Sequence, residues 1–305
     1  MKTSEILNKL AGFSDLEIRE NEPMCNHTSF KIGGPADVFV IPKNTTALFR
    51  LTQFAKENDV PITIIGAGSN LLASDKGIRG ITVKIGANLS NISVDGDIIT
   101  AESGISLAKI ASVALEHSLT GFEFASGIPG SLGGAVYMNA GAYGGEMKDV
   151  IISADYMDFS GNIYTLTKEE LDFSYRHSFF SDKSDFIILS SKIKLALGKK
   201  DEIKKTMSEL NQRRKDKQPL SDPSAGSAFK RPVGHFAAKL IEDAGLKGYT
   251  LGGAQVSEKH SGFIINIGNA TSFDVENLIR YVQKTVFEKF SVELSPEVKL
   301  IGERN

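Results

Sequence analysis

The sequence predicts an α+β protein of two or three domains, and three observations carry that expectation. Its 305 residues exceed what one hydrophobic core usually holds. The first third alternates strand and helix periodicities. Near Gly198 the composition then changes, and charged and amphipathic helical segments surround a single short apolar run.

Taken in order, the chain opens with Ile6, Leu7 and Leu10 in amphipathic spacing, which is not the continuous apolar core of a secretory signal. Asp37 to Ile41 reads as a strand and Thr45 to Asn58 as a helix with Leu48, Leu51, Phe54 and Ala55 on one face. Pro61 to Ile65 completes a βαβ opening. Strands follow at Ile81 to Ile85 and at Ile98 to Ala101, the latter after an Asp95-Gly96-Asp97 turn. A helix over Leu107 to His117 turns Ile110, Ala111, Ala114 and Leu115 inward. Ile151 to Phe159 and Ile163 to Leu166 flank a Ser160-Gly161-Asn162 turn as a hairpin, and Phe186 to Leu197 reads as one long strand closing that sheet. Lys199 to Lys217 is a charged helix, Phe236 to Ala244 and Asp274 to Phe290 are helices around a strand at Phe263 to Ile267, and Glu297 to Gly302 is a last strand that returns to an earlier sheet.

Composition excludes several function classes. With 35 basic and 37 acidic residues the net charge is −2, which offers no field for nucleic acid or anionic lipid. No apolar run approaches the ~20 residues of a membrane span, so no membrane partner is expected and a cytoplasmic location is. The single cysteine, Cys25, allows neither an intrachain disulfide nor a thiolate cluster. His27, His117, His177, His235 and His260 lack ligand spacing, so no metal site is expected. Nothing in the sequence fixes the oligomeric state, and a monomer is the simpler expectation.

Two glycine-rich turns hold the chemical signal. Gly66-Ala67-Gly68-Ser69-Asn70 follows the Ile62 to Ile65 run, and Gly127-Ile128-Pro129-Gly130-Ser131-Leu132-Gly133-Gly134 follows Phe122 to Ala125. A pyrophosphate needs several backbone N–H groups at close range, which glycine permits because it has no Cβ and tolerates positive φ. Either turn alone is weak, since glycine clusters more often mark ordinary turns; together they read as a dinucleotide cradle. Neither is a Walker A loop or the dinucleotide fingerprint of the doubly wound fold, so a different nucleotide fold is implied. The basic end Arg213-Arg214-Lys215-Asp216-Lys217 admits three readings: a solvated face, a complement to the helix dipole, or a pyrophosphate contact.

These loops, together with Thr28 to Ala36, Gly121-Phe122-Glu123, Asn139 to Gly144, Tyr175-Arg176-His177-Ser178, Gly226 to Pro232 and Pro296-Glu297-Val298, form an ordered set over nearly the whole chain. In them the sequence resembles the flavin-dependent UDP-N-acetylenolpyruvoylglucosamine reductases of bacterial peptidoglycan synthesis, which have the vanillyl-alcohol-oxidase type of FAD fold. The compact stretch between Arg176 and Gly226 is similar to the branch lacking an extra tyrosine-bearing segment. The resemblance implies a two-part FAD-binding module with a C-terminal α+β substrate-binding domain. Its parts are residues 1–83, to which strand 294–305 returns, 84–198, and 199–293.

The resemblance further implies that NADPH reduces bound FAD, which then reduces the enolpyruvyl double bond of a UDP-sugar. It places the cofactor on Gly66, Ala67, Gly68, Ser69 and Asn70 and on Gly127, Ile128, Gly130, Ser131, Gly133 and Gly134, with Tyr143, Gly144 and Arg214 nearby. Because no histidine lies in either loop, non-covalent FAD is expected. Arg176 is assigned to stabilising the anion, Ser227 to protonating it, and Glu297 to assisting, either protonated or by orienting Arg176 and a water. Lys217, Lys230, Arg231 and His260 are assigned to the substrate; Arg231 and His260 stand where other members use amides. Two alternatives stay open: an FAD-dependent sugar or alcohol dehydrogenase or oxidase, and a nucleotide-binding regulatory module whose flavin senses redox state. No Gly-x-Ser-x-Gly elbow surrounds Ser227, so a hydrolase triad is a poor fit.

Overall fold

Val38, Phe39 and Val40 are all fully buried, so the Pro35–Pro42 strand is covered on both faces rather than on alternate ones. It belongs to a four-stranded sheet in the order Leu16–Pro23, Pro35–Pro42, Ile78–Lys84, Ile62–Ile65. A computed structural model describes residues 1–181, 183 and 185–303 of the chain. It divides into two compact units, the first comprising Met1–Glu20, Val38–Ala67 and Gly80–Arg214, the second Asn21–Asp37, Gly68–Arg79 and Lys215–Asn305.

In the first unit the Asn44 side chain caps the Thr45–Glu57 helix by accepting from the Ala47 N–H at 2.8 Å. That helix buries Leu48, Leu51, Phe54 and Ala55, the face its periodicity predicted. The βαβ opening has a strand inserted into it: Ile78–Lys84 lies between the two and pairs in parallel with Ile62–Ile65. A second, antiparallel sheet runs Ile163–Thr167, Ile151–Asp158, Phe186–Lys194, Ile98–Glu102, Ile92–Asp95.

The expected strand over Phe186 to Leu197 is therefore central rather than closing, and it breaks at Leu195. There the Leu195 N–H donates to Asp97 O at 2.9 Å, and Ala196–Leu197 pairs instead with Leu119–Thr120. The core beneath this sheet gathers Ile110, Phe122, Leu132, Val136, Ile151 and Ile193. Full burial of a side chain such as Phe122 or Leu132 contributes about 1.5–3 kcal/mol.

The Lys200–Lys217 helix is polar almost throughout, yet Ile203, Met207, Asn211 and Arg214 fall on one face by spacing. Ile203 is buried and Met207 packs against the same core. That seam carries Arg214 to its place in the site.

The second unit has a four-stranded antiparallel sheet in the order Ser224–Ser227, Phe263–Asn266, Ala254–Val256, Thr250–Leu251. Helices Ala237–Asp243 and Ser272–Phe290 share its core through Leu240, Ile241, Val275, Leu278, Val282 and Val286. The long helix begins two residues before the expected Asp274, because Thr271 and Asp274 form a reciprocal capping box. The tail strand is Lys299–Ile301; it pairs in parallel with Leu71–Ala73, as a separate two-stranded ladder rather than as an added strand of the earlier four-stranded sheet that was expected. Residues 304 and 305 of the expected 294–305 segment lie outside the described residues. Among the described residues no helix is long and apolar enough to cross a membrane.

Candidate functional site

Within the first unit the two glycine turns meet. A Cβ built on Gly66 would stand 2.5 Å from Ser131 Oγ, and one on Gly133 would stand 2.8 Å from Ser103 Cβ. A side chain at Gly133 would meet the fixed Ser103 Cβ, and one at Gly66 would require the Ser131 hydroxyl to turn away. Leu132 and Gly133 give their N–H groups to Ile105 O and Ser103 O, which pins the loop. The N–H groups of Gly127, Gly130, Ser131 and Gly134 meet no protein acceptor among the described residues. Amides with no protein partner, clustered on glycine, are the donor set an anion requires.

Arg214 closes this arrangement. It is buried, its Nη1 donates to Gly127 O at 2.5 Å, and its Nε is buried with no hydrogen-bond partner. Leaving such a donor unsatisfied costs about 1–3 kcal/mol, a cost that an anionic oxygen removes. Of the three readings of the basic helix end, burial discards the solvated face for Arg214. Its guanidinium and that of Arg213 lie 5.9 and 5.2 Å from the Tyr143 ring centroid. Asn211, one turn earlier, faces the same loop: its Oδ1 accepts from Ser126 Oγ at 3.4 Å.

Arg176 sits in a two-residue turn closed by mutual backbone hydrogen bonds between Ser174 and His177, at 3.1 and 3.2 Å. Its φ of 56° is left-handed, a conformation that favours glycine or asparagine over arginine. Asn139 at 45° and Tyr143 at 54° are left-handed too. The Arg176 guanidinium donates to Gly141 O at 3.3 Å and lies 5.0 Å from the Tyr175 ring centroid. Nearby, burial raises the Glu146 pKa, but hydrogen bonds from Lys148 and Asn139, with the charges of Lys148 and Arg176, outweigh it and hold the carboxyl below its ordinary range.

The chain enters the second unit between Ala67 and Gly68. Here the N–H groups of Gly68 and Ser69 likewise meet no protein acceptor among the described residues, while Gly68 O accepts from Ser29 N at 3.1 Å. Ser29 Oγ in turn donates to Ser224 O at 2.6 Å, tying the loop to the strand that ends in Ser227. That strand bulges between Ser224 and Ser227, with Gly226 at a φ of 76°. A bulge re-aims the residue beside it, a common device next to active sites.

The tail is zipped alongside. Lys230 N donates to Ser295 O at 2.8 Å and Glu297 N to Ala228 O at 2.9 Å, so Glu297, only 8% exposed, is anchored one residue from Ser227. Asn70 Nδ2 donates to Glu297 O at 3.1 Å. Gly68, Ser69, Asn70, Ser227, Lys230 and Glu297 are therefore brought into one hydrogen-bonded neighbourhood.

His260 stands 5.0 Å from the ring of Phe263, the residue paired with Ser227. The Gly262 N–H donates to its Nδ1 at 3.1 Å, and burial, aided by the charges of Lys217 and Lys247, outweighs a backbone hydrogen bond and the Glu242 charge and holds its pKa below the ordinary histidine value. It is accordingly a neutral ring with its proton on Nε2. Lys217 is exposed. The Arg231 guanidinium lies 3.9 Å from the Phe236 ring centroid, and its Nε donates to His235 O at 3.3 Å.

Ser29, Asn139 and Asn211 were not singled out in the sequence. Ser29 and Asn139 lie inside quoted motifs, where the signal was present. Asn211 offers only its helical spacing from Arg214.

Alanine at Gly68 tests the first glycine loop. Its φ of 68° is left-handed, and a Cβ there would run into the His27 carbonyl, part of the backbone rather than a movable side chain. A loss of about 1–3 kcal/mol in denaturant unfolding is expected, together with purified protein that retains less flavin. Full flavin retention at unchanged stability would contradict the role of the loop.

Cradle and fold together define an FAD-binding oxidoreductase of the vanillyl-alcohol-oxidase type. Residues 36–167 match the FAD binding domain family, and residues 218–301 match the family described as UDP-N-acetylenolpyruvoylglucosamine reductase, C-terminal domain. The UDP-N-acetylenolpyruvoylglucosamine reductase of Caldanaerobacter subterraneus is 60% identical over 93% of each chain, and that of Agathobacter rectalis is 53% identical over 94% of this chain and 95% of its own. The crystal structure of the Thermus caldophilus UDP-N-acetylenolpyruvylglucosamine reductase superposes with a TM-score of 0.80 at 33% identity, covering 93% of this chain and 98% of that one. The chain belongs to the UDP-N-acetylenolpyruvoylglucosamine reductase family.

Proposed function

We propose that this enzyme uses NADPH to reduce UDP-N-acetylglucosamine enolpyruvate to UDP-N-acetylmuramate, a cytoplasmic step of peptidoglycan precursor synthesis. Family membership supports the reaction. The observation that carries the residue assignment is the zipper that anchors buried Glu297 one residue from Ser227 on a bulged strand. The functional division we propose is 1–83 with the C-terminal strand, 84–198, and 199–293.

FAD is held non-covalently in this reading, by the unpartnered amides of the two glycine loops and by Arg214, with Tyr143 and Gly144 beside it. When bound it supplies the two-electron relay from NADPH to the terminal vinyl carbon. Arg176 meets the negative charge that appears at the carbon next to the carboxylate; its planar fork grips the carboxylate through paired hydrogen bonds. Ser227 donates the proton to that carbon. A hydroxyl is a weak acid, yet a carbanion-like centre is far more basic, and Lys230 or Arg231 stabilises the developing alkoxide. Glu297 orients Arg176 and a water or acts protonated. Lys217, Arg231 and His260 hold the UDP-sugar, His260 as a neutral Nε2–H donor.

Anaerobic titration tests the whole. Yellow protein should bleach with one equivalent of NADPH and recover its colour with one equivalent of the enolpyruvyl UDP-sugar. A sample that stays bleached after the sugar favours a redox sensor, and one bleached by alcohols without NADPH favours a dehydrogenase; either outcome overturns the reading.

A further inference from the structure

Three left-handed, non-glycine residues, Asn139, Tyr143 and Arg176, lie within one neighbourhood of the first unit, and Asn139 has the least exposed side chain of the three. Its amide has three partners. Nδ2 donates to Ser174 O at 2.9 Å and to Glu146 Oε2 at 2.9 Å, and Oδ1 accepts from Lys148 N at 2.9 Å. Ser174 is the first residue of the tight turn whose third residue is Arg176. Glu146 Oε2 is also held by Lys148 Nζ at 2.9 Å.

A turn with arginine at a left-handed position is intrinsically unfavourable and persists only where its surroundings over-determine it. The mutual Ser174–His177 bonds close the turn but do not place it; the Asn139 amide attaches its first residue to the rest of the unit, beside the bonds from Arg176 to Gly141 O and from Ser178 Oγ to Tyr137 O. Asn139 itself follows the short Leu132–Tyr137 helix, whose first residues belong to the second glycine loop. A continuous path thus runs from the cradle through this helix and the Asn139 amide to the base of the arginine turn.

We propose that Asn139 is a positioning residue for the reaction, its buried amide holding the Ser174–His177 turn so that the Arg176 guanidinium is presented in its working place. The proposal rests on the role given to Arg176 above. A purely structural alternative exists, because asparagine just past a helix end is favoured simply for tolerating left-handed backbone. The two separate cleanly by substitution. Asn139→Gly keeps the backbone preference and removes the amide, and Asn139→Asp keeps the acceptor for Lys148 N while removing both donated hydrogen bonds.

In the holoenzyme, both variants should retain FAD and be reduced by NADPH within about two-fold of the parent rate, while reoxidation by the enolpyruvyl sugar slows by about 10²-fold, as expected for a displaced group. In an Arg176→Lys background the same changes should slow reoxidation by less than about three-fold, because residues acting as one unit are non-additive. Parent-like reoxidation, equal slowing of both half-reactions, loss of flavin from both variants, or full additivity with Arg176→Lys would overturn the proposal. Failure of Arg176→Lys itself to slow reoxidation would instead overturn the role of Arg176, so the two failures are distinguishable.

Discussion

Alanine in place of Ser227 is expected to leave flavin reduction by NADPH within about two-fold of the parent and to slow reoxidation by the enolpyruvyl sugar by about 10²–10⁴-fold, the usual worth of a positioned general acid. The asymmetry is the informative part. In the proposed reaction the hydroxyl has no task while electrons enter from NADPH, but the saturated product cannot form until its carbon is protonated. The substitution removes one oxygen from a half-buried side chain, and the strand is held by its backbone, through Ala228 N to Gly262 O and Ala228 O from Glu297 N. A stability change is therefore not expected to confuse the result. Cysteine at the same position, which restores a donor, should recover part of the lost rate. Stopped-flow absorbance of the oxidised flavin reads both halves, and equal loss in the two would remove the proton-donor role.

Arg176→Lys is expected to reduce the second half-reaction by about 10²–10³-fold, the range seen when one preorganised charge stabiliser is lost. Lysine keeps the charge but loses the planar fork, and with it the paired hydrogen bonds to a carboxylate. It also surrenders the bond to Gly141 O and the stack on Tyr175 that hold the guanidinium in a fixed direction. The left-handed backbone at this position costs the variant no more than it costs the parent, since both residues carry a Cβ. Single-turnover reoxidation, with flavin content measured alongside, is the direct check. A lysine variant of nearly parental rate would mean that the carboxylate is gripped elsewhere.

The elements with strong periodicity were legible in the sequence. The Thr45–Glu57 and Leu107–Glu116 helices bury the expected faces, with Leu115 only partly covered. Leu16–Pro23 was not anticipated, because Glu17, Arg19, Glu20, Asn21 and Glu22 leave no apolar alternation to follow. Strand order was equally hidden: the central position of Phe186–Lys194 and the insertion of Ile78–Lys84 are pairings between segments far apart in sequence. In the site, the glycine loops announced themselves by composition. The burial of Arg214 was ambiguous, since a charged helix with two buried residues gives almost no amphipathic signal.

By itself, the sequence determined where glycines cluster, which residues are candidates for the chemistry, and which strongly periodic segments become helix or strand, because those properties depend on side-chain type and local spacing. Tertiary structure alone decided that Glu297 is anchored beside Ser227, that Arg214 is buried with an unpaired Nε, and that Asn139 grips the turn of Arg176. Hydrogen-bond reach is only about 3 Å, and residues separated by tens of positions come within it only after the sheets have paired and the cores have closed.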